Sequence, residues 1–357
     1  MTRSPCEISW FGSTCDDDVE FLGVAEPRLR SSFAHCRDIC LAAESGGFDN
    51  CLLPSGYLPG IDAIAFAAAV GPLLKRMRLL VATRCGEMWP PQLARQLATL
   101  NEILGGRLTV NIISSDLPGE TLESEPRYAR TVEVMQILDQ LLRGLPVDHQ
   151  GEFYKFKLDP PRIATPNGAR PPFYFGGLSY AARDAAAQAA DVYLMWPDKI
   201  ELVREVIEDV RARAAKYGRT LKFGYRVHVV VRETEAEARA AADRLLSKLD
   251  PTEGERIKSR SQHTKAYGQI RQAELRESAG ADGYVEDNLW TGIGRARSGA
   301  GAALVGDPDQ VLAKINAYRE LGLEAFILSG YPHLTEGDLF ARHVLPRLDH
   351  APLKFAA

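Results

Sequence analysis

An arginine and a histidine stand two residues apart in the stretch KFGYRVHVVVR, which runs from Lys222 to Arg232. β-Branched and aromatic residues dominate this stretch and it contains no proline, so it is predicted to be a strand. Side chains alternate between the two faces of a strand, which places Arg226 and His228 together, opposite an apolar face. Burying such groups without partners is costly. The pattern therefore indicates either an anionic ligand or a structural ion pair with an acidic residue elsewhere.

A second candidate is the Gly-Gly-Leu-Ser turn that runs from Gly176 to Ser179 and opens a predicted helix. Free amide groups at a helix N-terminus favour a phosphate, although the same turn also occurs where nothing binds. Trp196 could equally be a core residue without a ligand, and Tyr331 could equally be a turn residue. Seven histidines with no close-spaced pair argue against a zinc site. Ser115 lacks the Gly-x-Ser-x-Gly elbow, which argues against an esterase triad.

Alternating strands and helices must position these residues. Eight strands are predicted, each followed by a helix: Glu7–Gly12, Phe48–Leu53, Met77–Thr83, Leu108–Ile113, Phe173–Gly176, Val192–Trp196, Lys222–Arg232 and Ala325–Leu328. This alternation predicts a parallel sheet and, for eight units in one domain of residues 1–357, a closed (β/α)8 TIM barrel. Insertions interrupt the repeat at about 143–170 and 250–302. An open doubly wound sheet is the alternative, weakened because no Gly-x-Gly-x-x-Gly follows the first strand.

In such barrels the site lies at the carboxyl ends of the strands. That rule selects the following residues: Ser13, Thr14, Asp16, Asp17, Asp18, Ser114, Ser115, Gly176, Gly177, Leu178, Ser179, Trp196, Arg226, His228, Ser329, Gly330, Tyr331 and His333.

Composition excludes several classes of protein. The chain has 357 residues and a net charge of −4, so no basic field favours nucleic acid. No apolar run approaches the length needed to span a bilayer, and the N-terminus lacks the apolar core of a signal peptide. The six cysteines form no Cys-x-x-Cys pair. Reduced thiols and a cytoplasmic location are therefore expected.

Three long motifs then point to a family. The stretches FGYRVHVVVRET, NLWTGIGRARSGAGAALVGDP and ILSGYPHL resemble the bacterial two-component, reduced-flavin-dependent alkanesulfonate monooxygenases of the luciferase-like group. The resemblance covers nearly the whole chain, including RQLATLNEILGGRLTVNI, PRYAR and PPFYFGG. It implies a TIM barrel, an oligomer of identical subunits, and cleavage of a carbon–sulfur bond with FMNH2 and O2, releasing sulfite and an aldehyde. It also implies a separate NAD(P)H-dependent flavin reductase that supplies the FMNH2.

The family motifs carry site residues onto this sequence. The catalytic set that the resemblance implies is Arg226, His228, Arg297, Tyr331 and Trp196. The implied flavin-binding set is Ser115, Tyr128, Gly176, Gly177 and Ser179, with the Gly-Gly turn and Tyr128 at the flavin phosphate. One departure concerns a cysteine that the family usually has after the second strand. Here the run Pro54 to Gly60 contains none.

The residue types suit this chemistry. A sulfonate is a permanent anion, and Arg226 and Arg297 can bind it through charge-assisted hydrogen bonds. His228 and Tyr331 can stabilise developing negative charge, and a strongly perturbed Arg226 is an alternative proton donor. The small residues around Arg297 in the second insertion predict a mobile segment that closes over the flavin and carries this arginine inward.

The first-strand loop carries the acidic residues that bear on the substrate, namely Asp16, Asp17, Asp18 and Glu20. Carboxylates repel a simple anion but accept hydrogen bonds from hydroxyl groups. They favour a hydroxylated sulfonate, with sulfoquinovose as the leading candidate and 6-dehydroglucose as its product, although a loop that simply faces solvent gives the same sequence. The alternatives are an alkanesulfonate, methanesulfonate or dimethylsulfone-type monooxygenase, another luciferase-like oxidase, or a flavin- or anion-binding barrel without enzymatic activity.

Overall fold

A computed structural model describes residues 4–56, 60–115, 117, 119–120, 122–160, 162, 165, 169–250, 252, 254, 256 and 267–355. The strands, in chain order, are β1 Glu7–Phe11, β2 Asn50–Leu53, β3 Arg78–Arg84, β4 Leu108–Ile113, β5 Val147–Gln150, β6 Lys155–Leu158, β7 Phe173–Gly176, β8 Val192–Met195, β9 Lys222–Val231, β10 Tyr284–Glu286, β11 Leu289–Trp290, β12 Ala303–Gly306 and β13 Leu323–Ser329.

The α-helices in the described part of the chain lie outside the sheet. They are α1 Phe33–Gly46, α2 Ala63–Val70, α3 Pro90–Ile103, α4 Ser124–Leu142, α5 Tyr180–Ala189, α6 Ile200–Lys216, α7 Glu235–Leu246, α8 Tyr267–Glu277, α9 Pro308–Glu320 and α10 His333–His343. Their starts follow from local sequence: Asp307 caps α9 in a capping box with Gln310, and Thr234 does the same for α7 with Glu237. Buried Ala, Val, Ile and Leu residues face the sheet.

Eight parallel strands close into a barrel in the order β1, β2, β3, β4, β7, β8, β9 and β13, with β13 returning to β1. The predicted (β/α)8 TIM barrel is confirmed, and the open-sheet alternative is wrong because β13 pairs with both β9 and β1. All eight predicted barrel strands are present, with ends shifted by one or two residues. Trp196 follows β8 rather than ending it.

Strand β9 is longer than its neighbours, and it pairs with three strands. Its first half pairs with β8, while its second half pairs in parallel with β12, so that His228 stands opposite Ala303. Strands β10 and β11 extend β12 as an antiparallel sheet. The described part of the second insertion is therefore attached to the barrel strand that carries Arg226 and His228. The first insertion forms the β5–β6 hairpin.

The amino-terminal end of the barrel is closed by the segment after α10. The backbone amide of Leu353 donates to Glu7 Oε2 (3.1 Å), and Arg78 Nη1 donates to the carbonyl of Leu353 (2.8 Å). Tyr174 donates to the other carboxylate oxygen of Glu7 (2.7 Å). Burial raises the pKa of Glu7. The opposite, carboxyl-terminal end of the barrel is left to form a site. None of the described helices is long and apolar enough to cross a membrane.

Candidate active site

Arg226 projects from β9 into the barrel, as strand alternation predicts. Its Nη2 donates to Ser329 Oγ (2.8 Å), and its Nη1 donates to the carbonyl of Val227 (3.0 Å). The guanidinium lies over the Phe11 ring, 4.5 Å from the centroid. Burial, with the neighbouring charge of Arg297, lowers the pKa of Arg226 to about 9. Among the described residues no carboxylate bonds to this arginine, so its charge is available for an anion.

His228, two residues on, is fully buried and hydrogen-bonded through both ring nitrogens. Nε2 lies 3.1 Å from the carbonyl of Ala300, and Nδ1 lies 2.7 Å from Ser329 Oγ. Burial and the charge of Arg226 lower the pKa of His228 well below its usual range, so the ring is neutral and carries one proton. A carbonyl can only accept, so that proton is on Nε2. Nδ1 must then accept from Ser329, whose oxygen accepts from Arg226.

Arg297 reaches the same place from the segment before β12. Its Nη1 donates to the Tyr331 hydroxyl and to Asp17 Oδ2, the second at 2.9 Å. Its guanidinium lies 5.5 Å from the centroid of the Phe11 ring that Arg226 also covers. Its Nε is buried and has no hydrogen-bond partner among the described residues. The edge of the guanidinium that faces away from Asp17 is therefore available to a ligand.

Tyr331 connects these groups. Its ring stacks on His228 with centroids 5.3 Å apart and an interplanar angle of 26°. Burial raises the pKa of Tyr331, so its hydroxyl is protonated at neutral pH and can donate. The structure thus brings together four of the five residues predicted to be catalytic, namely Arg226, His228, Arg297 and Tyr331.

The fifth residue, Trp196, lies beside the segment that carries Arg297. A Cβ at Gly299 would stand 3.6 Å from the Trp196 ring, and one at Gly268 would stand 3.1 Å from it. Helix α8 is fixed to the loop that contains Trp196, because Arg271 on this helix donates to both carboxylate oxygens of Asp198 at 2.6 and 2.8 Å. Arg297 already contacts Tyr331 in this arrangement. The predicted inward movement of Arg297 is not needed to bring it to the site.

The acidic residues of the loop after β1 differ in their surroundings, and not all of them face solvent. Asp18 is buried, 2.8 Å from His35 Nε2 and 3.0 Å from His333 Nδ1. Asp16 accepts from the backbone of Ser31 at the surface. Glu20 pairs with Arg244, also at the surface. The carboxylates of these three residues thus bond to groups other than Arg226, Arg297 and Tyr331.

Asp17 is the member of this loop that reaches the site. Besides Arg297, it accepts from Ser13 Oγ at 2.8 Å. Burial opposes ionisation, but the charges of Arg297 and His333 and the hydrogen bonds from Ser13 and Arg297 together outweigh it and hold the pKa of Asp17 below its ordinary value. Asp17 is therefore a carboxylate at neutral pH.

A glycine cradle, Gly176 to Ser179, lies at the start of α5 and at the carboxyl-terminal end of the same barrel. Ser179 caps the helix by accepting from the amide of Ala182 (3.2 Å), and Gly177 has a positive φ of 151°. A Cβ at Gly177 would lie 2.6 Å from Ala182 Cβ and 3.2 Å from the Tyr128 hydroxyl. A Cβ at Gly176 would collide with the carbonyl of Leu194. A side chain at Gly177 would therefore crowd the first turn of α5 and the Tyr128 hydroxyl, which are groups that suit a phosphate.

Ser115, predicted with the cradle, accepts a hydrogen bond from the Nη1 of Arg84. Arg84 ends β3, donates to the carbonyl of Ser55 (3.2 Å) and pairs with Glu87 (3.1 Å). Sequence reasoning missed Arg84 because the third strand was predicted to stop one residue earlier. The cysteine-free run cannot be followed in full, because residues 57–59 lie outside the described part of the chain.

The sequence matches a family model over residues 19–325, and that model describes luciferase-like monooxygenases. The chain belongs to the luciferase-like monooxygenase family. A relative from Novosphingobium aromaticivorans named sulfoquinovose monooxygenase is 64% identical, and the match covers 99% of each chain. A protein of the same name from Agrobacterium fabrum is 50% identical over 98% of this chain and 91% of its own.

Solved structures share the barrel fold of this chain. A riboflavin lyase, solved with modified FMN and riboflavin, superimposes with a TM-score of 0.79. It is 18% identical, and the match covers 96% of this chain and 91% of that one. At this identity the likeness concerns the barrel alone, and function must be argued from the site.

Proposed function

We propose that this protein is a two-component flavin monooxygenase that cleaves the carbon–sulfur bond of sulfoquinovose. In the overall reaction the sulfonate, FMNH2 and O2 give 6-dehydroglucose, hydrogen sulfite, FMN and water. One oxygen atom of O2 becomes the aldehyde oxygen, and the other becomes water. The observation that carries the proposal is the pair of guanidinium groups, Arg226 and Arg297, held around one Phe11 ring. The relatives of the same name support the choice of substrate.

Arg226 and Arg297 bind the sulfonate oxygens in this proposal. Guanidinium groups suit a tetrahedral anion because they donate several parallel hydrogen bonds. The Nε of Arg297, which has no hydrogen-bond partner in the part of the chain that the structure describes, is one such donor. Trp196 shields the site from water together with the segment that holds Arg297.

Proton movement is assigned to Arg226 and its neighbours. With a pKa of about 9, Arg226 can give up a proton far more readily than an ordinary arginine. His228 is neutral and cannot serve as an acid at neutral pH, so its role is to hold Ser329 and Tyr331. Tyr331 donates its hydroxyl proton toward negative charge that develops on the substrate.

The glycine cradle fits an FMN phosphate. Gly176 and Gly177 let the turn before α5 pack closely on Leu194 and Ala182, the first amide groups of α5 have no carbonyl partner in the helix, and Tyr128 presents a hydroxyl. When bound in its reduced form, the flavin supplies the electrons that activate O2. A separate NAD(P)H-dependent reductase and a homo-oligomeric, cytoplasmic enzyme complete the proposal.

Sulfite release tests the proposal directly. The protein is assayed with FMN, a flavin reductase and NAD(P)H on sulfoquinovose, hexanesulfonate and methanesulfonate. The expected result is the highest specificity constant on sulfoquinovose. A higher value on either alkyl sulfonate would replace the sugar by an alkanesulfonate. Sulfite from none of the three would leave a flavin- or anion-binding barrel.

A further inference from the structure

Asp17 places a carboxylate in the proposed anion site, although its negative charge repels an anionic ligand. Asp17 accepts from Arg297 Nη1 at 2.9 Å, and its side chain is 22% exposed. Tyr331 already bonds the same Nη1. The two hydrogens of that nitrogen can serve one acceptor each, and Asp17 is the acceptor that also brings a negative charge next to the proposed sulfonate site.

The charges of Arg226, Arg297 and Asp17 at the Phe11 ring sum to about one positive unit, which balances one sulfonate. Arg226 and Arg297 are cationic and Asp17 is anionic, while His228 and Tyr331 are neutral at neutral pH for the reasons given above. Two further sets of charged and titratable groups are paired among themselves: Arg84 lies with Glu87, and Asp18 contacts His35 and His333, whose ring centroid is 5.7 Å from that of Phe11. Arg226, Arg297 and Asp17 thus leave a net charge of about one positive unit for the ligand.

The natural competitor of a sugar 6-sulfonate is the 6-phosphate of the same sugar. It presents the same hydroxyl groups and a tetrahedral anionic group of similar size. A phosphate monoester carries about −1.5 to −2 charges at pH 7, whereas a sulfonate carries one. Two unopposed arginines would favour the phosphate, since each added ligand charge strengthens both contacts.

We propose that Asp17 is a specificity-determining residue that makes the Arg226–Arg297 site select a monoanionic sulfonate over the dianionic phosphate of the same sugar. Rejection through a repulsive charge is a common route to specificity, because it costs the wrong ligand more than the right one. The inference rests on the proposed function, because it assumes that the sulfonate binds between these arginines.

Positioning of Arg297 is the competing explanation for Asp17. If Asp17 only held Arg297 in place, its loss would weaken phosphate binding at least as much as sulfonate binding, because the phosphate gains more from Arg297. A selectivity role shifts the ratio toward the phosphate instead. The experiment therefore measures a ratio of two ligands that match in shape and differ in charge.

Glucose 6-sulfate and glucose 6-phosphate are the two probes, since both are tetrahedral esters of the same hydroxyl and differ mainly in charge. Their inhibition constants against sulfoquinovose turnover are measured for the FMN-supplied enzyme and for Asp17→Asn. The wild type is expected to bind the sulfate more tightly than the phosphate. In Asp17→Asn the ratio of the two inhibition constants is expected to shift toward the phosphate by about tenfold. This factor is at the lower end of the interaction between two charges at an effective dielectric constant of about 20, because Asp17 is partly exposed to solvent.

Two further variants separate charge from structure. Asp17→Glu keeps the charge and is expected to keep the wild-type preference. Asp139→Asn is the matched control, because Asp139 is a half-buried carboxylate bonded to Arg143 and Arg170 near the amino-terminal end of β7. It is expected to leave the probe ratio unchanged.

Either of two results would overturn the inference: a wild type that prefers glucose 6-phosphate, or an Asp17→Asn ratio equal to that of the wild type. The wild-type ratio remains decisive should Asp17→Asn fail to fold. Calorimetric dissociation constants for both probes on the FMN-loaded protein provide the ratio without turnover. A protein that releases no sulfite from sulfoquinovose but shows the predicted ratios would refute the proposed reaction and leave the role of Asp17 standing.

Discussion

Replacing Ser329 by alanine removes one hydroxyl that links the two polar side chains of β9. Ser329 Oγ accepts from Arg226 Nη2 at 2.8 Å and lies 2.7 Å from His228 Nδ1. The alanine variant leaves the buried imidazole nitrogen without a donor and takes one acceptor from a buried guanidinium. Both changes fall on groups that the proposed mechanism uses.

The magnitude follows from these two bonds. A hydrogen bond to a charged group contributes about 1.5–3 kcal/mol, and leaving a buried acceptor unsatisfied costs about 1–3 kcal/mol. If half of this loss falls on the transition state, kcat/KM drops roughly ten- to hundredfold, at about 1.4 kcal/mol per factor of ten. Ser329 Oγ stabilises the charged form of Arg226, so its removal lowers the pKa of Arg226 further. The alkaline limb of the pH profile is therefore expected to move to lower pH.

The assay is sulfite release from sulfoquinovose across pH, with FMNH2 held saturating. Ser9→Ala is the matched control, because Ser9 lies buried on β1 and its Oγ has no hydrogen-bond partner among the described residues. That variant is expected to change kcat/KM by less than about twofold, since it breaks no bond. A Ser329→Ala enzyme with the wild-type pH profile and kcat/KM would refute the linkage of Arg226 to His228.

Arg226→Ala and Arg297→Ala are each expected to lower sulfite release strongly with the barrel still folded, because losing a charged contact at a buried site costs roughly 2–5 kcal/mol; near-normal rates in both would remove the anion site. Gly177→Ala is expected to weaken FMN binding, measured by flavin fluorescence, since its Cβ would enter the cradle. Hydrogen exchange in residues 267–302 is expected to slow when FMN and a sulfonate bind; high protection that does not change would indicate a static insertion.

The barrel was predictable because its strands are apolar, regularly spaced and each followed by a helix. The shared face of Arg226 and His228 was also predictable, because side chains two residues apart on a strand point the same way. β12 was missed because it has four residues and depends on pairing with the second half of β9.

The partners of the polar side chains could not be read from the sequence. Asp16, Asp17 and Asp18 are adjacent and identical, yet the first lies at the surface, the second contacts Arg297, and the third contacts His333. The distinction depends on residues some 280 positions or more away from the loop. Arg84 was missed for a local reason, since one more residue of β3 brings it to the barrel mouth.

Closure of the barrel through β1 and β13 has a consequence for synthesis. Residue 7 pairs with residue 325, so β1 keeps one open edge until the ribosome has made nearly the whole barrel. At about 5–20 residues per second, this interval is roughly 15–65 seconds. An unpaired strand edge is a template for aggregation during that time. We therefore expect the yield of soluble protein to depend on the rate of translation and on chaperones that cover the open edge of β1.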